Sequence, residues 1–215
     1  MFLSIKNVPK VSWSSDKPLN LKPKSSTFFF LCLGLTLFGL GEGLLIVSAA
    51  GASPWSVFAQ GIYLNFGLSI GIVTILISLV VLILWLPLKQ KPGIGTILNA
   101  LIVGFMIDIC IKFVPTPENY FSQLFLAFLA VLTVGVGGGI YLVANLGAGP
   151  RDGLMIGLQK RTNLPIAAVR AILEITVMSI GWYLGGTVGL GTLLFAFGIG
   201  PAVALSLYLV GKTFN

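Results

Sequence analysis

The sequence contains no histidine, only two cysteines and only 9% charged residues among its 215. Histidine is the usual acid–base group near neutral pH and the commonest metal ligand, so its absence removes both roles. Cys32 and Cys110 lie in apolar stretches without metal-ligand spacing and are typical of small core residues. The sequence also lacks a nucleophile–base set and a phosphate-binding loop. We therefore expect no enzyme, no catalytic residue, no metal and no cofactor.

Charge is scarce because hydrophobic residues make up 56% of the chain. A soluble domain cannot hide that much apolar surface. Uncharged apolar stretches of about 20 residues recur, which is the length that crosses a bilayer. Such stretches must be helical in lipid, and the alternation typical of a β-barrel is absent. The sequence predicts an all-α polytopic membrane protein whose first partner is the lipid bilayer.

The positions of lysine and arginine predict the orientation of six spans. The net charge of +7 comes largely from residues that flank the apolar stretches, so it indicates no nucleic-acid partner. A flexible basic tail, residues 1–26, carries five lysines and is expected in the cytoplasm. Basic residues follow the second and fourth spans, and Lys212 closes the chain, which places both termini inside. The predicted spans are 27–49, 66–87, 95–113, 121–144, 165–184 and 189–210.

The second half of the sequence matches the first at a fixed shift of 96 positions. Gly51 and Pro54 match Gly147 and Pro150 at this shift. The ungapped match extends to the Gly-x-Gly-Thr segments that end at Thr96 and Thr192. We therefore predict two membrane repeats, residues 27–114 and 121–210. Since each has three spans, the second must be inverted relative to the first, an architecture common among secondary transporters.

A short helix that starts at a Gly-Pro element is predicted between the first and second spans of each repeat. Pro54 and Pro150 stand at first helical positions, and Asp152 complements the positive end of the second helix. These could be re-entrant helices whose N-termini face a substrate. They could equally lie flat at the interface with Trp55 as an anchor, and the charges of Arg151 and of residues 160–161 favour that alternative.

The sequence carries four motifs, namely Ser53-Pro54-Trp55 with Gly61, Pro92-Gly-x-Gly-Thr96, Gly149-Pro-Arg-Asp-Gly153 and Gly181-Trp182-x-x-Gly185-Gly186-Thr187-x-Gly189-x-Gly191-Thr192. In these motifs it resembles the YczE-type family of bacterial membrane proteins, which is related to the YitT group. The resemblance covers residues 27–210 and implies a bacterial cytoplasmic membrane rather than a particular reaction. The family pattern places an acid after Pro-Trp, where this chain has Ser56, so no role is transferred to that position.

Ionisable groups within spans are expensive and therefore need a partner or a function. Arg170 and Glu174 lie four residues apart and can pair on one helix face, as can Asp108 and Lys112. Glu42 has no local partner. It is interpreted either as a proton or cation site, or as a carboxyl group that packs against Asn99, Gln60 or backbone.

These features predict a small secondary transporter or permease with a site between the repeats. The predicted partner is an unknown small solute or ion, and homo-oligomerisation is left open. The alternative is a non-transporting scaffold or regulatory partner of another membrane complex. A transporter should contain a polar cavity that reaches Glu42 or Glu174, whereas a scaffold should be packed solid there. The candidate binding residues are Glu42, Asp108, Arg170, Glu174, Pro54, Pro150, Arg151 and Asp152.

Overall fold

The protein is entirely helical over the part of the chain that the structure describes. A computed structural model describes residues 8–214, which form eight α-helices and no strand. The predicted all-α class is confirmed. The helices are α1 (Ser25–Val47), α2 (Pro54–Phe66), α3 (Ile70–Trp85), α4 (Ile94–Phe113), α5 (Tyr120–Ala144), α6 (Pro150–Thr162), α7 (Ile166–Tyr183) and α8 (Leu190–Phe214).

Five helices are long and apolar enough to cross a membrane, namely α1, α4, α5, α7 and α8. Their starts lie within two residues of the predicted spans, and α8 continues four residues beyond its predicted end. The remaining predicted span, 66–87, corresponds to the 16-residue helix α3. Taken together, α2 and α3 are also long and apolar enough to cross a membrane, but they are bent by 114° at the break between them. The chain is therefore an integral membrane protein.

The two short helices begin and end in the same way. Each starts with a proline, at Pro54 or Pro150, which needs no N–H partner and favours helical φ. Gly51 and Gly147 precede these helices with φ of 119° and 114°, which a side chain would disfavour. The predicted Gly-Pro-initiated helices are therefore present.

The backbone repeats with the same 96-residue period as the sequence. Helices α2, α3 and α4 start 96 residues before α6, α7 and α8. Within residues 8–214, all eight residues with positive φ form four pairs with this separation. Three of the pairs contain different residue types, so the backbone conformation is the same at both positions even where the residues differ. The pairs are Ala49/Asn145, Gly51/Gly147, Gly67/Asn163 and Lys89/Gly185.

The three most extensive helix contacts join α1 to α5, α1 to α4 and α5 to α8. Gly34 and Gly137 face each other so closely that a Cβ on either would overlap backbone of the opposite helix. Gly39 and Gly43 face α4, and the equivalent pair, Gly135 and Gly139, faces α8. The small-residue spacing therefore brings helix backbones together.

Two equivalent backbone hydrogen bonds join the halves. In each, the start of the last helix of one half donates to the link that precedes the short helix of the other half. Gly95 N–H donates to the Leu146 carbonyl oxygen at 2.8 Å, and Gly191 N–H donates to the Ala50 carbonyl oxygen at 2.7 Å. Donors and acceptors are both 96 residues apart. Each half thus holds the link that precedes the short helix of the other half.

The packing of the two halves differs at one pair of helices. Helix α3 packs along α4, where the Cβ of an alanine at Gly104 would lie 2.7 Å from the Gly71 carbonyl oxygen. Helix α7 packs on α2 instead and has no comparable packing with α8. At Gly200, which corresponds to Gly104, an added Cβ would meet no atom within 4 Å. The structure is therefore closed between α3 and α4 and open between α7 and α8.

The segment that precedes α1 is packed rather than free over part of its length. Trp13 is buried and stacks on Phe30 with ring centroids 4.4 Å apart. The Thr27 hydroxyl donates to the Trp13 carbonyl oxygen at 2.6 Å, and the Asn145 side chain donates to the Ser15 carbonyl oxygen at 2.8 Å. The expectation of a flexible tail therefore needs correction around these residues. Residues 1–7 of that tail lie outside the described residues.

Candidate functional site

The N-termini of the two short helices meet in the interior of the protein. Trp55 follows Pro54, Arg151 follows Pro150, and the Arg151 guanidinium lies 5.2 Å from the centroid of a Trp55 ring. Trp55 is only 6% exposed, so its predicted role as an interfacial anchor is wrong. Neither helix start has a side-chain hydrogen bond to its free N–H groups. Two positive helix ends therefore point toward one region.

A cavity of about 240 Å³ lies at this meeting point, between the two halves of the chain. It is bordered by α1, α5, α6, α7 and α8 and by the start of α2. Six of the eight predicted site residues line it, so the structure brings together side chains that are distant in sequence. They are Glu42, Pro54, Arg151, Asp152, Arg170 and Glu174.

Glu42 is the most deeply buried charged group of the cavity wall, with 1% exposure. Its Oε2 accepts hydrogen bonds from the Ser53 hydroxyl at 2.6 Å and the Ser56 hydroxyl at 2.7 Å. Its Oε1 is buried and has no hydrogen-bond partner among the described residues. Asn99 and Gln60, the partners proposed from sequence, do not bind it. Buried polar atoms are rarely left without a partner, so Oε1 has hydrogen-bonding capacity that the described residues do not use.

Arg151 presents the opposite charge to the same cavity. Its guanidinium stacks on Trp55 and has no hydrogen-bond acceptor among the described residues. The carboxyl groups of Glu42, Asp152 and Glu174 lie near enough to interact electrostatically with the Arg151 guanidinium. Because a guanidinium has five N–H donors in a planar fork, this side chain can bind a carboxylate with two parallel hydrogen bonds.

Arg170 and Glu174 pair on α7, as predicted from their spacing. The Arg170 Nε donates to Glu174 Oε1 at 2.9 Å, and both side chains are partly exposed. They lie on the side of the cavity where α7 and α8 stand apart. The pair therefore gives the open side of the cavity a polar border.

Asp152 and Pro150 contribute differently from each other. The Tyr141 hydroxyl donates to Asp152 Oδ2 at 2.6 Å, which fixes the carboxylate at the cavity wall. The Pro150 carbonyl oxygen accepts a hydrogen bond from the Trp85 indole at 2.9 Å. Pro150 is absent from the lining of this cavity, so it positions the start of α6 rather than binding a ligand there.

Asp108 was predicted as a binding residue, and the structure corrects this. Its carboxylate accepts hydrogen bonds from the Ser69 hydroxyl and, at 2.7 Å, from the Gly71 N–H. These contacts satisfy the N-terminus of α3, away from the cavity. Asp108 does not pair with Lys112, whose ammonium lies 5.5 Å from the Phe113 ring centroid.

A second, smaller cavity of about 50 Å³ occupies the equivalent place between α3 and α4. Phe38, Tyr141, Arg151 and Asp152 line both cavities and thus form the wall between them. The charged pair on α7 is replaced by hydroxyl groups on α3. Four lining residues of α7 and α8 are related by the 96-residue shift to lining residues of α3 and α4, namely Arg170/Thr74, Glu174/Ser78, Phe195/Asn99 and Ile199/Val103.

Sequence reasoning missed Ser53 and Ser56 as partners of Glu42, and Tyr141 as the partner of Asp152. The 96-residue shift contained a signal for Ser56, because it pairs this residue with Asp152. Both stand two residues after a proline, at the helix end that faces the cavity. Tyr141 gave no comparable signal, since it is one aromatic residue in an apolar helix.

Comparison with known proteins places this architecture in a family. A family model described as a family of unknown function, DUF6198, matches residues 25–207. The chain belongs to that family. The resemblance to YczE-type proteins is thereby confirmed, because the relatives include the uncharacterized membrane protein YczE of Bacillus subtilis. This relative is 36% identical over 183 residues, with 84% of each chain covered.

Two further relatives extend the match. An uncharacterized protein of Haemophilus influenzae is 38% identical over 208 residues, which cover 97% of this chain and 94% of the relative. The uncharacterized protein YyaS of Bacillus subtilis is 26% identical over 171 residues, which cover 78% of this chain and 85% of the relative. No solved structure matches the chain.

Proposed function

We propose that the protein is a small secondary transporter of the bacterial plasma membrane with its substrate site in the cavity at the repeat interface. The observation that carries this proposal is the cavity at the repeat interface whose wall includes the ionisable side chains of both Glu42 and Glu174. A scaffold gains nothing from such a space, because ionisable groups inside a membrane are costly and a packed apolar core is more stable.

The proposed architecture has six spans arranged as two inverted three-span repeats, with both termini in the cytoplasm. The helix starts and the residues with positive φ recur at a spacing of 96 residues, which supports a common origin of the two halves. An odd number of spans in each half requires opposite orientations. The distribution of lysine and arginine supports the cytoplasmic assignment of both termini.

The proposed transport cycle exchanges the roles of the two cavities. The larger one opens between α7 and α8, while its counterpart between α3 and α4 is nearly closed. In an inverted repeat the two openings face opposite sides of the membrane, so exchange of the two packings moves the site from one side to the other. Gly200 provides the space that α7 needs to approach α8.

The test is solute flux into proteoliposomes that contain the purified protein, with a panel of ions, amino acids and small metabolites. Glu42→Gln and Glu174→Gln should each reduce flux of the transported solute by at least about tenfold, because each removes a cavity charge. Glu118→Gln, on the link before α5, is the matched control and should leave flux unchanged. Absence of flux for every solute would favour the scaffold alternative.

A further inference from the structure

Two groups of opposite charge at the cavity lack hydrogen-bond partners among the described residues. One is Glu42 Oε1, which is buried without a hydrogen-bond donor, and the other is the partly buried Arg151 guanidinium, for which residues 8–214 supply no acceptor. They do not satisfy each other: in the described range the ion pair is Arg170–Glu174. A missing acceptor and a missing donor on one cavity match a ligand that carries both an ammonium and a carboxylate group.

The other charges of the cavity have partners or contact with solvent. Arg170 and Glu174 neutralise each other, and Asp152 is exposed and bonded to the Tyr141 hydroxyl. The two charged groups without hydrogen-bond partners, Glu42 and Arg151, are of opposite sign, and Trp55 Nε1 is a neutral buried donor that also lacks a partner among the described residues. A neutral ligand with separated charges therefore fits better than an isolated cation or anion.

The rest of the wall sets the size and polarity of the ligand. Phe38, Met155, Phe195, Ile199 and Val203 give one side of the cavity an apolar surface. Its volume of about 240 Å³ lies below the roughly 300–1,000 Å³ of pockets that hold drug-sized ligands. The positive end of α2 lies beside Arg151 and adds to its attraction for a carboxylate.

We propose that the cavity binds a small zwitterion of the α-amino acid type with an apolar side group. The ammonium group donates to Glu42 Oε1, the carboxylate accepts from the Arg151 guanidinium, and the side group contacts the apolar wall. This inference rests on the proposed transport function only in taking the same cavity as the substrate site.

The first experiment uses the unmodified protein in detergent and compares three ligands that share one side group. Leucine carries both charges, 3-methylbutylamine lacks the carboxylate, and 4-methylpentanoate lacks the ammonium. Direct binding titration should show leucine binding at least about tenfold more tightly than either analogue, since each analogue leaves one buried charged group without a partner. Equal affinity for one analogue, or no binding of leucine and phenylalanine at millimolar concentration, would overturn the proposal.

Variants then assign the two ends of the ligand. Glu42→Gln should weaken leucine binding by at least about tenfold and leave 4-methylpentanoate binding unchanged. Arg151→Gln should weaken leucine binding and leave 3-methylbutylamine binding unchanged. Glu118→Gln is the control for surface charge. If both cavity variants retain the affinity and ligand preference of the unmodified protein, the assignment is wrong.

Flux separates this inference from the proposed function. Tight leucine binding without any flux would sustain the ligand assignment and contradict transport. Flux of another solute by a protein that does not bind leucine or phenylalanine would sustain transport and contradict the ligand assignment.

Discussion

Glu42 and Asp108 are both acidic side chains in apolar helices, yet their surroundings differ. Both oxygens of Asp108 accept hydrogen bonds from the start of α3. Glu42 has two hydroxyl donors on one oxygen and none on the other. The cost of burying Asp108 is therefore offset within the fold, whereas Glu42, a residue of the cavity wall, keeps one carboxylate oxygen without a hydrogen-bond donor among the described residues.

This contrast predicts opposite consequences for the two acids. Asp108→Ala should lower the free energy of unfolding by about 1–3 kcal/mol, because the N-terminus of α3 loses two charge-assisted hydrogen bonds. The affinity of the folded variant for leucine should stay within about twofold of that of the unmodified protein. Denaturant titration in detergent and binding titration on the same samples measure the two quantities.

Asp108→Asn is the matched control, since an amide oxygen can still accept one of the two bonds and should restore part of the stability. A variant with normal stability and lost binding would contradict the structural role of Asp108.

At this scale the sequence predicted the Arg170–Glu174 pair from spacing alone, because four residues make one helical turn. It could not separate Glu42 from Asp108, since both are single acids among apolar residues. The difference depends on Ser53 and Gly71, which reach these acids only through the tertiary fold.

Helices α4 and α8 begin alike but have different neighbours at their middle glycines. Gly104 of α4 lies against Gly71 and Ile75 of α3, whereas Gly200 of α8 faces open space. The same residue type at equivalent positions thus has two roles. One glycine permits a close helix contact, and the other borders the space between α7 and α8.

This difference predicts unequal effects of adding a methyl group. Gly104→Ala should lower the free energy of unfolding by about 1–3 kcal/mol, because the new Cβ would lie 2.6 Å from Ile75. Gly200→Ala should leave it unchanged or raise it by up to about 1 kcal/mol, as expected for an unobstructed helical site. Denaturant titration of both variants measures the effects.

Flux adds a second readout for Gly200→Ala. If α7 approaches α8 during transport, the added methyl group should slow flux without lowering stability. Equal destabilisation by the two substitutions would contradict the described asymmetry of the helix pairs.

At the scale of the element, hydropathy and the Gly-Pro signals located every helix, because span length and helix starts are local properties. The position of Trp55 was predicted wrongly. A tryptophan near a span end usually marks an interface. Here Arg151, which follows Pro150 in the other half, occupies the face of its ring.

Across the whole molecule, each half holds a link of the other and both contribute to one cavity. The glycine and proline matches predicted two repeats with a site between them, since they mark backbone conformations that the fold requires. They did not predict the hydrogen bonds between the links. The sequence could not reveal that the α3–α4 cleft is closed while the α7–α8 cleft is open. That state depends on packing between helices rather than on residue pattern.

The most direct test of the account is the side of the membrane on which two equivalent links lie. Lys91→Cys, between α3 and α4, and Val188→Cys, between α7 and α8, are placed singly in a protein whose Cys32 and Cys110 are alanine. A membrane-impermeant maleimide is then applied to intact bacterial cells. We expect Val188→Cys to react in intact cells and Lys91→Cys to react only after permeabilisation. Reaction of both cysteines from the same side would contradict the inverted arrangement and the transport site built on it.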